Sequence, residues 1–97
     1  MIKILIAKTF KDKLLGLMFQ KNINYGLYFP NVNKIHTFFM KEPIDIIGLD
    51  KNMIVVEKYY NITPNKIIIL RKSTHTLELP KGYSKNYKMN EKIVLHF

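Results

Sequence analysis

Two residues stand out for the chemistry they could do, His36 and Asp45. Each interrupts a stretch that is otherwise almost wholly apolar, Ile35 to Met40 and Ile44 to Leu49. Imidazole is the one side chain whose ordinary titration falls near neutral pH, so a pocket histidine is suited to acid–base or ligand work. A carboxylate among isoleucines is costly to bury unless it is partnered, and such burial is what perturbs acids at functional sites. Both residues also have plain structural readings. His36 could be a core histidine bonded to backbone or to a nearby carboxylate. Asp45 could accept backbone N–H groups at the Pro43 bend. If the two met, they would form one polar site in an apolar neighbourhood. Only Lys41-Glu42-Pro43 separates their strands, but a simple hairpin would not set them opposite each other.

Three further residues join them as candidates. Thr37 follows His36 and faces the other way along an extended chain. Met40 shares the His36 face and, with Met18 and the Phe38-Phe39 pair, could line an apolar groove or fill a core. Glu78, between Leu77 and Leu79, faces away from both leucines, which reads as a solvated strand face or a third group for the site. Asp50 has a local reason to sit at a hairpin turn. His75 and His96 alternate with apolar residues and read as packing or surface positions.

Other chemistries lack their residues. The chain has no cysteine, which removes disulfides and thiolate chemistry. No zinc-like ligand spacing, Gly-rich phosphate loop or nucleophile elbow is present. No cofactor is expected.

These residues must be positioned by a small fold. Ninety-seven residues suit one domain, read here as 1–97. The pattern predicts strands at Ile2–Ile6, Tyr25–Phe29, Ile35–Met40, Ile44–Leu49, Met53–Tyr60, Ile67–Leu70, His75–Leu79 and Lys92–His96. Thr9 and Asp12 have capping-box spacing before a two-turn helix, Phe10–Leu15, which Gly16 closes. Tyr83 to Tyr87 predicts one more helical turn. Asp50-Lys51-Asn52 has hairpin chemistry, with Asn52 able to take a positive φ. The expectation is an α+β, β-rich single compact domain. Its short, mostly antiparallel strands would curl into a barrel-like sheet, with one or two short helices and the Asp50 hairpin at its centre.

The formal net charge is +9, from fifteen lysines, one arginine and seven acids. The lysines are scattered, and arginine, the main reader of bases, is nearly absent. Lysine, isoleucine and asparagine, all with AT-rich codons, make up 38 residues, so a genome-wide base bias could produce this composition without selection for polyanion binding, and the residues alone leave open whether the charge is functional. Weak, sequence-independent nucleic-acid binding that vanishes by physiological salt is expected, and no specific nucleic-acid partner. No apolar run approaches the roughly 20 residues of a membrane span, and the start does not read as a signal peptide. The expected location is cytoplasmic, with no membrane partner.

Three stretches resemble the DUF192 family. They are Ala7-Lys8-Thr9-Phe10 with Leu15 to Phe19, Ile35-His36-Thr37-Phe38-Phe39-Met40 running into Pro43 to Asp50, and Leu77-Glu78-Leu79-Pro80-Lys81-Gly82 with the turn Lys88 to Glu91. The resemblance spans nearly the whole chain and implies a compact β-rich domain. Asn90-Glu91 stands where the family usually has Gly-Asp, and Asn65-Lys66 where Trp-Arg is common. Many relatives carry an export signal before the domain. The family has no settled activity, so no catalytic residue is carried over. Three functions stay open: a non-enzymatic domain binding a small ligand or partner near His36 and Asp45, a small enzyme using them for acid–base work, or a basic nucleic-acid-associated protein. Ligand, oligomeric state and any reaction are not readable from the residues.

Overall fold

The computed structural model describes residues 2–9 and 21–97. The predicted helix at Phe10–Leu15, and Gly16 to Phe19 after it, lie outside the described residues.

Among the described residues seven strands follow in chain order: β1 (Lys3–Ile6), β2 (Tyr25–Phe29), β3 (Lys34–His36), β4 (Ile44–Leu49), β5 (Val55–Ile62), β6 (Ile67–Ile69) and β7 (His75–Pro80). A 3-10 turn, Tyr83–Asn86, comes last. Five strands form one sheet in the order β1-β2-β7-β4-β5, and β3 and β6 form a separate two-stranded ribbon. Among the described strands β1 and β2 run parallel, and the other pairings are antiparallel.

Neither sheet closes, which corrects the barrel-like expectation. Covering replaces closure as the way the apolar faces are hidden. Register partners share a face, so the two faces can be read from the pairing. Ile47, Leu49, Leu77, Leu79 and Tyr28 pack on one side, where Tyr83, Tyr87, Ile93 and Leu95 of the C-terminal segment cover them. Ile44 and Ile46 pack on the other, under Ile35 and Ile68 of the ribbon. Because β4 is covered on both faces and flanked on both edges, every one of its residues is buried. This explains a strand that reads as a near-continuous apolar run.

The Asp50 hairpin pairs as expected, but β4 is interior while β5 is an outer strand of the sheet. At its turn Met53, not Asn52, takes the positive φ of 65°. Asp50 sets that geometry: its Oδ1 accepts the N–H of Asn52 at 2.8 Å and of Ile54 at 3.0 Å. The predicted strand Ile35–Met40 stops at His36, because Thr37 turns to the loop beyond β5 and Phe39 adopts φ 63°. The predicted last strand at Lys92–His96 is reduced to one bridge, Ile54 with Lys92.

Candidate functional site

Asp45 lies opposite a bulge. Ile44 pairs with Ile62 and Ile46 with Tyr59, so Tyr60 and Asn61 together face the one residue between them. Asn61 takes a left-handed φ of 51°, a conformation asparagine tolerates. Its N–H, released from the ladder, donates to Asp45 Oδ1 at 2.9 Å.

The other carboxylate oxygen holds the chain after β7. Pro80 ends that strand, and Gly82 follows at φ 90°, where a side chain would be strained. This turn carries the chain over the sheet and brings three donors to Asp45 Oδ2. They are the N–H groups of Gly82 and Ser84, each at 3.0 Å, and the Ser84 hydroxyl at 2.5 Å. Asp45 is only 1% exposed. Four donors on one carboxylate meet the cost of burying its charge. The expected backbone partners are present, but they come from Asn61, Gly82 and Ser84 rather than from the Pro43 bend.

His36 is elsewhere. It sits on the ribbon opposite Ile67. Its inward neighbour Ile35 packs on the Ile44 and Ile46 face, so the His36 ring turns outward. The ring stacks on Phe38 at 5.3 Å, and its Nδ1 accepts the Phe38 N–H at 3.3 Å. Asp45 points to the opposite side of the five-stranded sheet, the side of Leu79 and Ser84. The two have no hydrogen-bond partner in common, and the sheet itself lies between them.

Thr37 is fully buried and acts as a staple. Its hydroxyl donates to the Thr63 carbonyl and accepts the Lys66 N–H, both at 2.8 Å. Met40 is a core residue beside Ile44 and Ile46. Glu78 is 4% exposed, which corrects its reading as a solvated strand face. β7 is flanked by β2 and β4, and the ribbon covers the face on which Glu78 sits beside Ile46. Among the described residues no three of His, Cys, Asp and Glu converge as a metal site requires.

A second carboxylate hub escaped the sequence reading. Glu57 Oε2 accepts the Ser73 hydroxyl at 2.7 Å and the Lys72 N–H at 2.9 Å, while its Oε1 accepts the Tyr59 hydroxyl at 2.8 Å. That bond, with burial and the Glu57 charge behind it, raises the Tyr59 pKa above its ordinary value. The only hint in the sequence is Gly48 in an otherwise bulky strand. A Cβ there would stand 1.9 Å from Ser73 Oγ.

Three clefts open around the turn that Asp45 anchors. A cleft of about 430 Å³ lies between Ile23, Lys41, Glu42, Pro43, Lys81 and Tyr83. A second, of about 330 Å³, runs along Lys81, Tyr83 and Lys85. A third, of about 220 Å³, is backed by Asp45 and rimmed by Tyr60, Lys81 and Lys85. All three meet at Lys81. Lys41, Lys81 and Lys85 are exposed. Glu42, the acid on the first wall, accepts the Ile23 N–H at 3.2 Å.

Residues 1–97 match the model of DUF192, described as an uncharacterized ACR. A UPF0127 protein of Pyrococcus horikoshii is 38% identical over 90 residues, covering 86% of this chain and 76% of that protein. A UPF0127 protein of Thermococcus kodakarensis is 33% identical over 100 residues, covering 92% of this chain and 60% of its own length. Among solved structures, a protein of unknown function from Novosphingobium aromaticivorans superposes with a TM-score of 0.81 at 20% identity, over 94% of this chain and 73% of the other. A Sinorhizobium meliloti protein described as a candidate transcription regulator gives 0.81 at 19% identity, over 92% and 78%. At such identities the structural likeness is one of fold.

Proposed function

Because the chain belongs to the DUF192 family, whose description brings no activity with it, we propose from its own side chains that it is a binding domain for a small anionic ligand. The carrying observation is the meeting of three clefts at Lys81, with Lys41 and Lys85 on their walls. Cations around a concave surface focus the field and draw anions in. A ligand carboxylate or phosphate would be met by Lys41 and Lys81. Its apolar body would lie against Pro43, Pro80 and Tyr83, as small-ligand sites are mostly apolar with a few placed polar groups.

In this reading Asp45 is the scaffold of the site and His36 is outside it. The bond pattern favours binding over acid–base chemistry. A general acid or base needs a lone pair or proton free for the substrate, and four protein donors occupy the Asp45 oxygens. A nucleic-acid reading has less support: of the six tyrosines that could stack on bases, only Tyr60 is exposed.

The test is a thermal-shift screen of inorganic phosphate, sugar phosphates, nucleotides and di- and tricarboxylates against wild type, Lys41→Ala and Lys81→Ala. Both lysines are exposed, so their removal leaves the fold intact. An anion that raises Tm in wild type should lose most of its effect in both variants. A shift that survives both substitutions, or stabilisation by neutral compounds alone, would end this reading.

A further inference from the structure

The ribbon of β3 and β6 has an inner and an outer face. Ile35 and Ile68 are register partners, and both pack inward on the Ile44 and Ile46 core. The neighbouring pairs, Lys34 with Ile69 and His36 with Ile67, therefore turn outward. Ile67 is 56% exposed and Ile69 44%. Beside this face Phe38 stacks on His36 and is 38% exposed, and the next residue, Phe39, is 63% exposed. Phe39 holds φ 63°, a conformation that is costly for a bulky side chain and that persists only where the surroundings impose it. Phe39 thus combines a costly backbone conformation with an exposed side chain.

Charge narrows what this strip would meet. Residues 31–41 and 63–72 carry Lys34, Lys41, Lys66, Arg71 and Lys72, all exposed; two acids border them, Glu42 next to Lys41 and Glu57, whose carboxylate accepts the Lys72 N–H at 2.9 Å. A second copy would bring the same cations face to face, which like-charge repulsion opposes. A nucleic acid would stack successive bases on aromatic faces; on this strip His36 and Phe38 stack on each other, and Ile67 and Ile69 offer no ring.

We propose that this face seats the domain on the surface of an anionic lipid bilayer. Ile67, Ile69 and Phe39 enter the headgroup boundary, and the surrounding cations meet the acidic headgroups. Apolar insertion and electrostatic attraction together are what interfacial binding requires. Nothing spans the bilayer in this arrangement; among the described residues no helix is long and apolar enough to do so. The site is separate from the Lys81 clefts, apart from Lys41 at its margin.

Sedimentation with vesicles tests it, comparing equal parts phosphatidylcholine and phosphatidylglycerol with phosphatidylcholine alone. The variant Phe39→Asn/Ile67→Thr/Ile69→Thr keeps every lysine. Asparagine suits the left-handed position and threonine a strand. At about 0.15 M salt, wild type should bind the anionic vesicles and the variant should bind about tenfold more weakly, with little binding of either to the neutral ones. Equal binding of both proteins would overturn the proposal, as would absence of wild-type binding. Self-association, or single-strand binding retained at that salt, that is lost in the variant would assign the face to those partners instead. Should the triple variant fail to fold, Ile67→Trp decides. The chain has no tryptophan, so its emission is unobscured. A blue shift with anionic vesicles is expected, and an unshifted spectrum would refute insertion.

Discussion

Ser84 donates twice to one oxygen of Asp45, through its backbone N–H at 3.0 Å and its hydroxyl at 2.5 Å. The pair joins residues far apart in the chain and fixes the turn that forms the Lys81 clefts. Asp45→Asn would present an amide NH2 to donors that need an acceptor. Bonds to a buried charged acceptor contribute about 1.5–3 kcal/mol, so a loss of about 2–4 kcal/mol in denaturant stability is expected. Ser84→Ala keeps the N–H bond and should cost about 1 kcal/mol. Equal costs for the two, or none for Asp45→Asn, would contradict the clamp.

Gly48 makes a sharper test of packing. A methyl group there would stand 1.9 Å from Ser73 Oγ and 2.8 Å from Leu70 Cδ2. Gly48→Ala must therefore displace Ser73 from Glu57, adding a broken hydrogen bond to overpacking. A loss of about 2–4 kcal/mol is expected. In the background of Ser73→Gly the same substitution should cost markedly less. Equal cost in both backgrounds would show that Ser73 is not what the methyl group meets.

His75 gives the pH dependence. Burial lowers its pKa from the ordinary 6.5, with Asp50 pulling weakly the other way. Its Nδ1 accepts the Asn31 N–H at 2.9 Å, which a protonated ring cannot do. The folded state therefore prefers the neutral ring. Its contribution to stability is complete above about pH 6.5 and is lost as pH falls through that value toward the lowered folded pKa. Tm measured from pH 8 down to about 5 should fall more steeply in wild type than in His75→Asn, whose Oδ1 retains an acceptor. Parallel profiles would remove His75 from the account.

Thr37 is a third hub. Thr37→Val keeps the shape but strands the Lys66 N–H and the Thr63 carbonyl. A stability loss of about 1–3 kcal/mol is expected, with ligand response at the Lys81 clefts unchanged. A lost ligand response with full stability would give Thr37 a functional role.

What was legible in the residues was local. The apolar run Ile44–Leu49 and the Asp50 turn predict their hairpin, because periodicity and turn chemistry act over a few residues. What was not legible depends on partners distant in sequence. Glu78 alternates with leucines as a half-solvated strand residue does, yet β7 lies between two other strands with both faces covered. Thr37 reads as a strand residue, but the loop at Thr63 to Lys66 takes its hydroxyl. Asp45 was visible as a buried acid in need of partners, while Gly82 and Ser84 are 37 and 39 residues away. Apolar patterning does not encode which strands pair across such separations.

The same separation governs His36 and Asp45, and a double-mutant cycle measures it. On sequence grounds the two residues interrupt neighbouring apolar stretches and invite a shared site. In the fold, the ribbon carries His36 outward over one side of the five-stranded sheet, and Asp45 faces the Ser84 turn on the other. His36→Ala removes a partly exposed ring from its stack with Phe38 and should cost within about 1 kcal/mol. Asp45→Asn should cost several times more, for the reasons given above. Residues with no contact and no common partner have additive effects to within about 0.5 kcal/mol. The double variant should therefore lose the sum of the two single losses in urea denaturation. A coupling energy well above that limit would mean that imidazole and carboxylate share a partner after all, and would return acid–base chemistry to the readings of this domain.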